Sequence, residues 1–396
     1  RIPEKVEVNG KTYTVTAVKG GIFYAKKIVI PATVKQIDFG GVNWRDKELE
    51  VAPGNPVYKV KNNILYTADG KTVVFSSKQS GTVKIADGVK TIAGEAFHGS
   101  ALTALELPKS LEKIEAGAFE NCTKFRRIKV SAKNPYMMEK AGALYTKNGK
   151  KLLYAGVARG TLMLPKKTTQ IAANAFYGNT TVEMVFIQGK MKKLAKKSLA
   201  FSRIKDVTLP DSLLEIEEGA FMYCSKLADV EIPKSVKKIG ANAFDGCYEL
   251  ERVVLPKKLT TLEKETFRNC YSLRKIDLPK SLRTIKAGTF ESCGFNQLII
   301  PKSVKSIGKN ALQVTTKKMI FKGKNVPKIA KQDACQYGKY AGNTDPDFDL
   351  GVVRLDYIDI QYPMQHGIGK VKVPAESTGK YKKTLKEKME YRELEY

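Results

Sequence analysis

Histidine is nearly missing from this chain: His98 and His366 are the only two in 396 residues, beside a single tryptophan. So few imidazoles leave little for imidazole-ligated metal centres or for histidine-based acid–base chemistry. Long apolar runs are missing as well, and no stretch approaches the ~20 apolar residues a membrane helix needs. Acidic residues are scarce against basic ones, 40 Asp+Glu to 69 Lys+Arg, which leaves a net charge of +29. Gly-x-Ser-x-Gly, P-loop, His-Glu-x-x-His and dinucleotide-binding strings are all lacking, so nothing points to the common hydrolases, nucleotide enzymes or zinc proteases. The chain starts at Arg1 with no apolar signal core behind it, and is expected to be a trimmed or mature piece. With 42% apolar and 28% charged residues, the composition is that of a folding chain.

What the sequence has is a repeat. Pro210, Pro233, Pro256, Pro279 and Pro301 follow one another at intervals of 23, 23, 23 and 22 residues. Phe221, Phe244, Phe267, Phe290 and Leu312 keep the same intervals, and Ile216, Ile239, Leu262, Ile285 and Ile307 precede them by five. Three apolar columns in one phase over about a hundred residues mark a stacked-repeat architecture. More degenerate units run at Ile28–Pro31, Val83–Phe97, Leu102–Phe119, Phe125–Val130, Leu162–Phe176, Val182–Leu199 and Met319–Phe321.

Each unit reads as a short strand, Leu250–Leu255, ended by Pro256 because proline cannot donate to a ladder. Leu259 and Leu262 turn a second edge inward, and a small-residue turn such as Gly240-Ala241-Asn242-Ala243 delivers the aromatic that follows. A unit this short cannot bury its apolar groups alone and must stack on copies of itself. At ~4.8 Å per rung, about a dozen units are expected to form a rod several nanometres long.

Two insertions match each other at an offset of 79: Asn55-Pro56 with Asn134-Pro135, Leu65-Tyr66-Thr67 with Leu144-Tyr145-Thr146, Gly70-Lys71 with Gly149-Lys150. Asp69-Gly70 and Asn148-Gly149 are type I′ hairpin signals, so each insertion is expected to be a projecting β-hairpin inherited by block duplication.

The string across Leu273–Cys293, Leu-x-x-Ile-x-Leu-Pro-Lys-Ser-Leu-x-x-Ile-x-x-x-x-Phe-x-x-Cys, resembles the BspA-like (Treponema pallidum-type) leucine-rich repeat. The interleaved Asn-Pro hairpins, the opening Ile2-Pro3 through Tyr13, and the closing Val371-Lys372-Val373-Pro374 with Tyr381-Lys382 are similar to the same family. The resemblance implies a β-rich α/β leucine-rich-repeat solenoid, a right-handed superhelix with two inserted hairpins. It also implies an exported, non-enzymatic adhesion or interaction protein, secreted or on the cell surface. The expected organisation is a solenoid over 1–335 with insertions near 55–75 and 134–154, an acidic insertion over 336–369, and a closing unit over 370–396.

Cys122, Cys224, Cys247, Cys270 and Cys293 each follow their aromatic by three residues, one address in successive units. They read as a column of small buried groups and not as disulfide partners, since side chains in one column lie parallel. Ser100, Asn179 and Ser202 occupy that address elsewhere, and no Cys-x-x-Cys pair offers a metal site. Cys335 has no assigned place. No cofactor is expected.

Stacking also sorts the charge. Lys109, Lys166, Lys234, Lys257, Lys280 and Lys302 directly follow the strand-ending proline, with Asp211 breaking the series. Lys190, Lys192, Lys193, Lys196 and Lys197 form a dense cluster, and residues 315–331 carry six lysines and no acid. The simpler reading is a solvated surface whose lysines guard strand edges. The sharper one is a polyanion or partner face built from the post-proline column with Lys192 and Lys193. Lysines without regularly interleaved aromatics argue against a nucleic-acid track. Tyr66 and Tyr145 are the expected hairpin contacts, tyrosine tips being common binding anchors; the alternative is that hairpin tyrosines pack the hairpin base.

The segment 343–362 reverses sign, with Asp345, Asp347, Asp349, Asp356 and Asp359 against Arg354. Its alternate acids lack the glycine and the twelfth-position glutamate of a calcium loop, Leu350 and Asp356 standing there. It is expected instead to dock on a basic face and help cap the open end. Two functions follow: recognition of an extracellular protein or acidic glycan, or a structural spacer with no specific ligand. Salt dependence separates them.

Overall fold

The computed structural model describes residues 2–19, 25–38, 47–77, 80–115, 117–119, 122–331, 368–374, 377–388 and 391–395. The acidic insertion apart from its last two residues, Cys335 and His366 lie outside them. Among the described residues the chain winds about 13 β-solenoid turns with little helix, and it divides into two compact units meeting in sequence at Asn148 and Gly149. No helix among the described residues is long and apolar enough to cross a membrane.

The first unit opens on an antiparallel pair, β1 (Lys5–Val8) with β2 (Lys11–Thr14). The first insertion is a three-stranded antiparallel meander, β3 (Tyr58–Lys61), β4 (Ile64–Thr67) and β5 (Thr72–Ser76). It does not project freely, because β5 also pairs in parallel with Thr91–Ile92 and so forms a rung of the solenoid. Both faces of β4 are therefore covered, and Ile64, Leu65 and Tyr66 are all buried.

The turn chemistry differs from expectation in a specific way. Two-residue type I′ turns need positive φ at both central residues, and these are Asn62 (52°) and Asn63 (57°) between β3 and β4. At Asp69-Gly70 only the glycine takes positive φ, 74°, while the Asp69 carboxylate accepts from Thr67 Oγ1 at 2.6 Å and Lys71 N at 2.9 Å. A parallel sheet follows, β6 (Ser80–Lys84), β7 (Ala101–Leu107) and β8 (Arg127–Val130). The second hairpin, β9 (Met137–Lys140) with β10 (Ala143–Thr146), turns at Ala141-Gly142 with both φ positive.

The duplicated Asn-Pro now has a cause. Asn134 Nδ2 donates to the Pro108 and Leu111 carbonyls, both at 2.9 Å, and its Oδ1 accepts from Tyr136 N and Met137 N. Asn55 repeats this on Pro31 and Val34, at 2.8 and 3.0 Å. One amide thus sews the start of each hairpin to the proline corner of the preceding turn.

In the second unit each turn has three sides. The pre-proline strands stack in parallel, Asp229–Glu231 on Arg252–Val254 on Lys275–Ile276. Two-residue strands make the second side, for example Thr261–Leu262, Thr284–Ile285 and Ser306–Ile307. The third side carries the aromatics. Phe221, Phe244, Phe267 and Phe290 are fully buried and stack ring on ring at 4.9, 5.3 and 5.9 Å, within 10° of parallel. Their backbone N–H groups donate to the next turn (Phe244 N to Thr266 O, 2.9 Å), so this side too is a hydrogen-bonded ladder. Glycine enters it by necessity: a Cβ on Gly240 would lie 2.5 Å from the backbone nitrogen of Glu218.

A helix that the repeat did not foretell, α1 (Thr378–Lys388), closes this unit. Tyr381 is buried on Phe321 with ring centroids 5.3 Å apart, and its hydroxyl donates to Gly323 O at 2.8 Å.

Candidate functional site

Several charges on the strand faces are paired, most of these pairs reaching between turns. Glu215 lies between Lys193 at 2.8 Å and Lys238 at 3.0 Å, on the neighbouring rungs. Hydrogen bonds from these two ammoniums hold its carboxyl below the usual range. Lys286 pairs with Glu263 at 2.7 Å and Arg252 with Asp229 at 3.0 Å. In the first unit Lys90 pairs with Glu112 and Lys113 with Glu115, both at 2.8 Å. Exposed pairs of this kind contribute about 0–1 kcal/mol each. What they establish is which cations already have partners. Lys193, expected in the binding face, is one of these and also lies 3.6 Å from Glu217.

The proline corner behaves differently. After Pro233, Pro256, Pro279 and Pro301 the chain turns tightly, the residue three further on donating its N–H to the proline carbonyl at 2.9–3.1 Å. The serine at the corner bonds back to the preceding turn, Ser235 Oγ to Leu213 O at 2.6 Å and Ser281 Oγ to Leu259 O at 2.6 Å. At all four corners, two of them stitched back by serine, the lysine after the proline points outward. Lys234, Lys257, Lys280 and Lys302 are exposed on four successive turns, and none has an ion-pair partner among the described residues. The column stops where the fold forbids it: a Cβ on Gly189 would lie 1.8 Å from Thr168 O, and Asp211 occupies the next rung. Lys166 and Lys192 are exposed on the same unit but stand outside this run of four.

In the first unit Lys109 lines an open groove of about 630 Å³. One wall is β4 and the turn before it, with Lys61, Asn62, Ile64 and Tyr66. The other is the outward column of the parallel sheet, where Lys84, Glu106 and Lys129 occupy one register line. The following corners add Asp87, Ser131 and Lys133, with the buried Ile85 and Leu107 behind them. Five lysines, two acids and no arginine line it. The structure therefore brings Tyr66 and Lys109 together, while Lys61, Lys84, Lys129 and Lys133 went unrecognised in the sequence. For Lys84 and Lys129 the signal was the repeat spacing itself, 84 to 106 to 129 with Glu106 between them, read on the strand instead of at the corner.

The hairpin tyrosines are not exposed anchors. Tyr145 is 1% exposed and burial pushes its hydroxyl up to about 12; it is a core residue because β10 is covered on both faces. Tyr66 is 7% exposed and reaches only the groove, its hydroxyl also raised by burial.

The cysteine column is a packing device with one addition: the thiols donate. Sγ of Cys224, Cys247, Cys270 and Cys293 lies 3.1, 3.1, 3.2 and 3.0 Å from carbonyls of the preceding turn (Leu199, Phe221, Phe244 and Phe267). All four are buried free thiols, and burial pushes Cys224 up to about 12, which removes the thiolate on which nucleophilicity depends. Among the described residues no group of three His, Cys, Asp or Glu could hold a metal. Asp245 is raised to about 6, chiefly by burial, but at 3% exposure it is enclosed and not in a cleft. A further feature absent from the sequence reading is a half-buried aromatic ladder, Tyr177, Phe201, Tyr223, Tyr248 and Tyr271, with centroids 4.8–6.1 Å apart. Its spacing in sequence is irregular, which hid it.

A family model described as BspA type leucine rich repeat region matches in six copies over residues 71–148, 153–270 and 192–318. Among solved structures, the pneumococcal vaccine antigen PcpA is similar at 17% identity, with 100% of this chain and 87% of that chain covered and a TM-score of 0.47. A leucine-rich repeat protein from Eubacterium ventriosum aligns at 19% identity over 72% of this chain and 75% of that one, TM-score 0.47. A leucine rich cell surface protein from Faecalibacterium prausnitzii aligns at 19% identity over 70% and 86%, TM-score 0.45. No curated protein matches.

Proposed function

This chain belongs to the BspA-type leucine-rich-repeat family, and from that premise we propose a non-enzymatic recognition protein, secreted or on the cell surface, that binds an acidic macromolecule. The partner is an extracellular protein or an acidic glycan, held along the repeat corners. The observation that carries this reading is the column Lys234, Lys257, Lys280 and Lys302. Four like charges on successive rungs ~4.8 Å apart repel by just under 1 kcal/mol per adjacent pair in water. On the adjoining strand faces the same fold places acids between the bases, so the corner keeps a repulsion the architecture does not require. A polyanion running across the turns relieves it and meets a line of charges at one spacing.

The test is binding of the chain to immobilised sulfated glycans, hyaluronate, mucin and matrix proteins at low and high salt, beside a variant with all four lysines changed to glutamine. A bound partner should be released as the Debye length falls below about 8 Å. Four contacts of about 0.5 kcal/mol each make the variant on the order of thirtyfold weaker. Salt-independent binding, or no difference between the two proteins, refutes the reading and leaves the lysines as solubilising charges on a spacer.

A further inference from the structure

Two asparagines of the chain are followed by glycine, Asn9-Gly10 and Asn148-Gly149, and both pairs continue into lysine. Their local sequences are therefore nearly equal in intrinsic reactivity. The fold holds them very differently. Asn9 and Gly10 are the two loop residues between β1 and β2, with Val8 paired to Lys11 across them. Both have positive φ, 51° and 74°, as a type I′ turn requires. Every residue from 3 to 14 is exposed, so neither face of this pair of strands is covered. A two-stranded hairpin of that kind is marginally stable by itself. The Asn9 side chain makes no hydrogen bond among the described residues, and a Cβ placed on Gly10 would meet nothing within 4 Å.

Asn148-Gly149 is the opposite case. The Asn148 Oδ1 accepts from Thr146 Oγ1 at 2.8 Å. Gly149 is buried, and its carbonyl accepts from Oγ1 of the fully buried Thr168 at 2.8 Å. A Cβ on it would lie 2.3 Å from Lys167 Cε. The strand that follows, Lys151–Tyr154, pairs in parallel with Gln170–Ile171 and is part of the solenoid wall. Opening the backbone at Gly149 breaks solenoid contacts, whereas opening it at Gly10 disturbs only an exposed hairpin.

We infer that Asn9 is a site of spontaneous deamidation, with water as the only co-reactant, and that the fold protects Asn148 from the same reaction. The Gly10 nitrogen attacks Asn9 Cγ and forms an N–Cγ bond; the Cγ–Nδ2 bond breaks, and ammonia leaves with the proton from Gly10. Glycine permits this because no side chain obstructs the approach. Water then opens the five-membered imide at either carbonyl, giving aspartate or isoaspartate. Amide and water become carboxylate and ammonia, with no change of oxidation state. Ring closure needs a rotation about the asparagine ψ that a closed I′ turn resists, so the rate follows how often each turn opens. The isoaspartate product adds one methylene to the backbone. A two-residue loop with an extra backbone atom no longer fits the Val8–Lys11 register, so the modified hairpin comes apart while the solenoid behind it stays folded. This inference is independent of the recognition reading, and the failure of one leaves the other standing.

The experiment is incubation of the full chain in warm, mildly alkaline buffer, folded and in urea, with conversion at each asparagine followed by peptide mass mapping and isoaspartate by methyltransferase labelling. In urea the two sites should convert at comparable rates, since their sequences match. In the folded chain Asn9 should convert roughly tenfold faster than Asn148 or more. Asn9→Gln should abolish the early isoaspartate signal and leave the slow conversion at Asn148 unchanged. Hydrogen exchange over residues 5–14 should quicken in the aged chain. In Asn9→Asp, which carries the new charge without the added backbone atom, it should stay close to that of the fresh chain. Equal rates at the two sites in the folded chain overturn the inference, as does an Asn9 still intact when the urea-treated chain has fully converted. Isoaspartate that persists in Asn9→Gln at its early rate overturns it too. Aged and Asn9→Asp chains that exchange alike refute the opening of the hairpin.

Discussion

Replacing Asp245 by asparagine should make the protein more stable at neutral pH. Asp245 is 3% exposed, accepts from Asn269 Nδ2 at 3.1 Å, and has Arg268 nearby, yet burial outweighs these and raises its carboxyl from 3.8 to about 6. A shift of about two units at 1.36 kcal/mol per unit sets the cost of the charged form at about 3 kcal/mol. The sign follows from proton counting. Between pH 3.8 and about 6 the folded chain binds more protons at this site than the unfolded chain, so stability falls as pH rises through that window. Above about 6 the whole penalty is present. Asparagine keeps the shape and an acceptor for Asn269 while deleting the charge, so the gain should be about 2–3 kcal/mol at pH 7.5 and roughly half that at pH 5. Urea unfolding read by tyrosine absorbance, at both pH values, measures it. A destabilised variant, or a gain that does not change with pH, shows that attraction to Arg268 outweighs burial and refutes the reasoning.

Phe244→Ala empties a slot between rings 4.9 and 5.3 Å away, and should cost about 3–5 kcal/mol by urea midpoint; a loss under 1 kcal/mol would mean that the ring stack is not part of the core. The buried thiols Cys224, Cys247, Cys270 and Cys293 should resist iodoacetamide at pH 8 in the folded chain and react in urea, with half-buried Cys122 modified first. Rapid native labelling of the four would contradict their burial.

Much of the fold is legible in one dimension because a solenoid is a one-dimensional object: a residue's neighbour across turns is its counterpart 22 or 23 positions away. Proline, aromatic and cysteine columns could be read for that reason, and so could the run Lys234, Lys257, Lys280 and Lys302. The places where that reading failed share a cause. Asp69-Gly70 carries the hairpin dipeptide, but the Asp69 carboxylate bonds its own turn, and the left-handed pair moved to Asn62-Asn63. Of the two readings of Tyr66 and Tyr145, contact tips or packing of the hairpin base, burial favours the second, because the insertion does not project freely: β5 anchors it in the solenoid sheet. Lys193 belongs to a lysine cluster in sequence, while in space its neighbours are the acids of the next turn.

The sequence by itself determined the period, the direction each column faces, and the excess of positive charge, since these depend only on which residues recur in phase. Tertiary structure alone decided which lysines keep a free charge and which converge on Tyr66. Ion pairing depends on the side chain one rung away, and concavity depends on how an insertion folds back across the sheet; neither is a property of any single repeat.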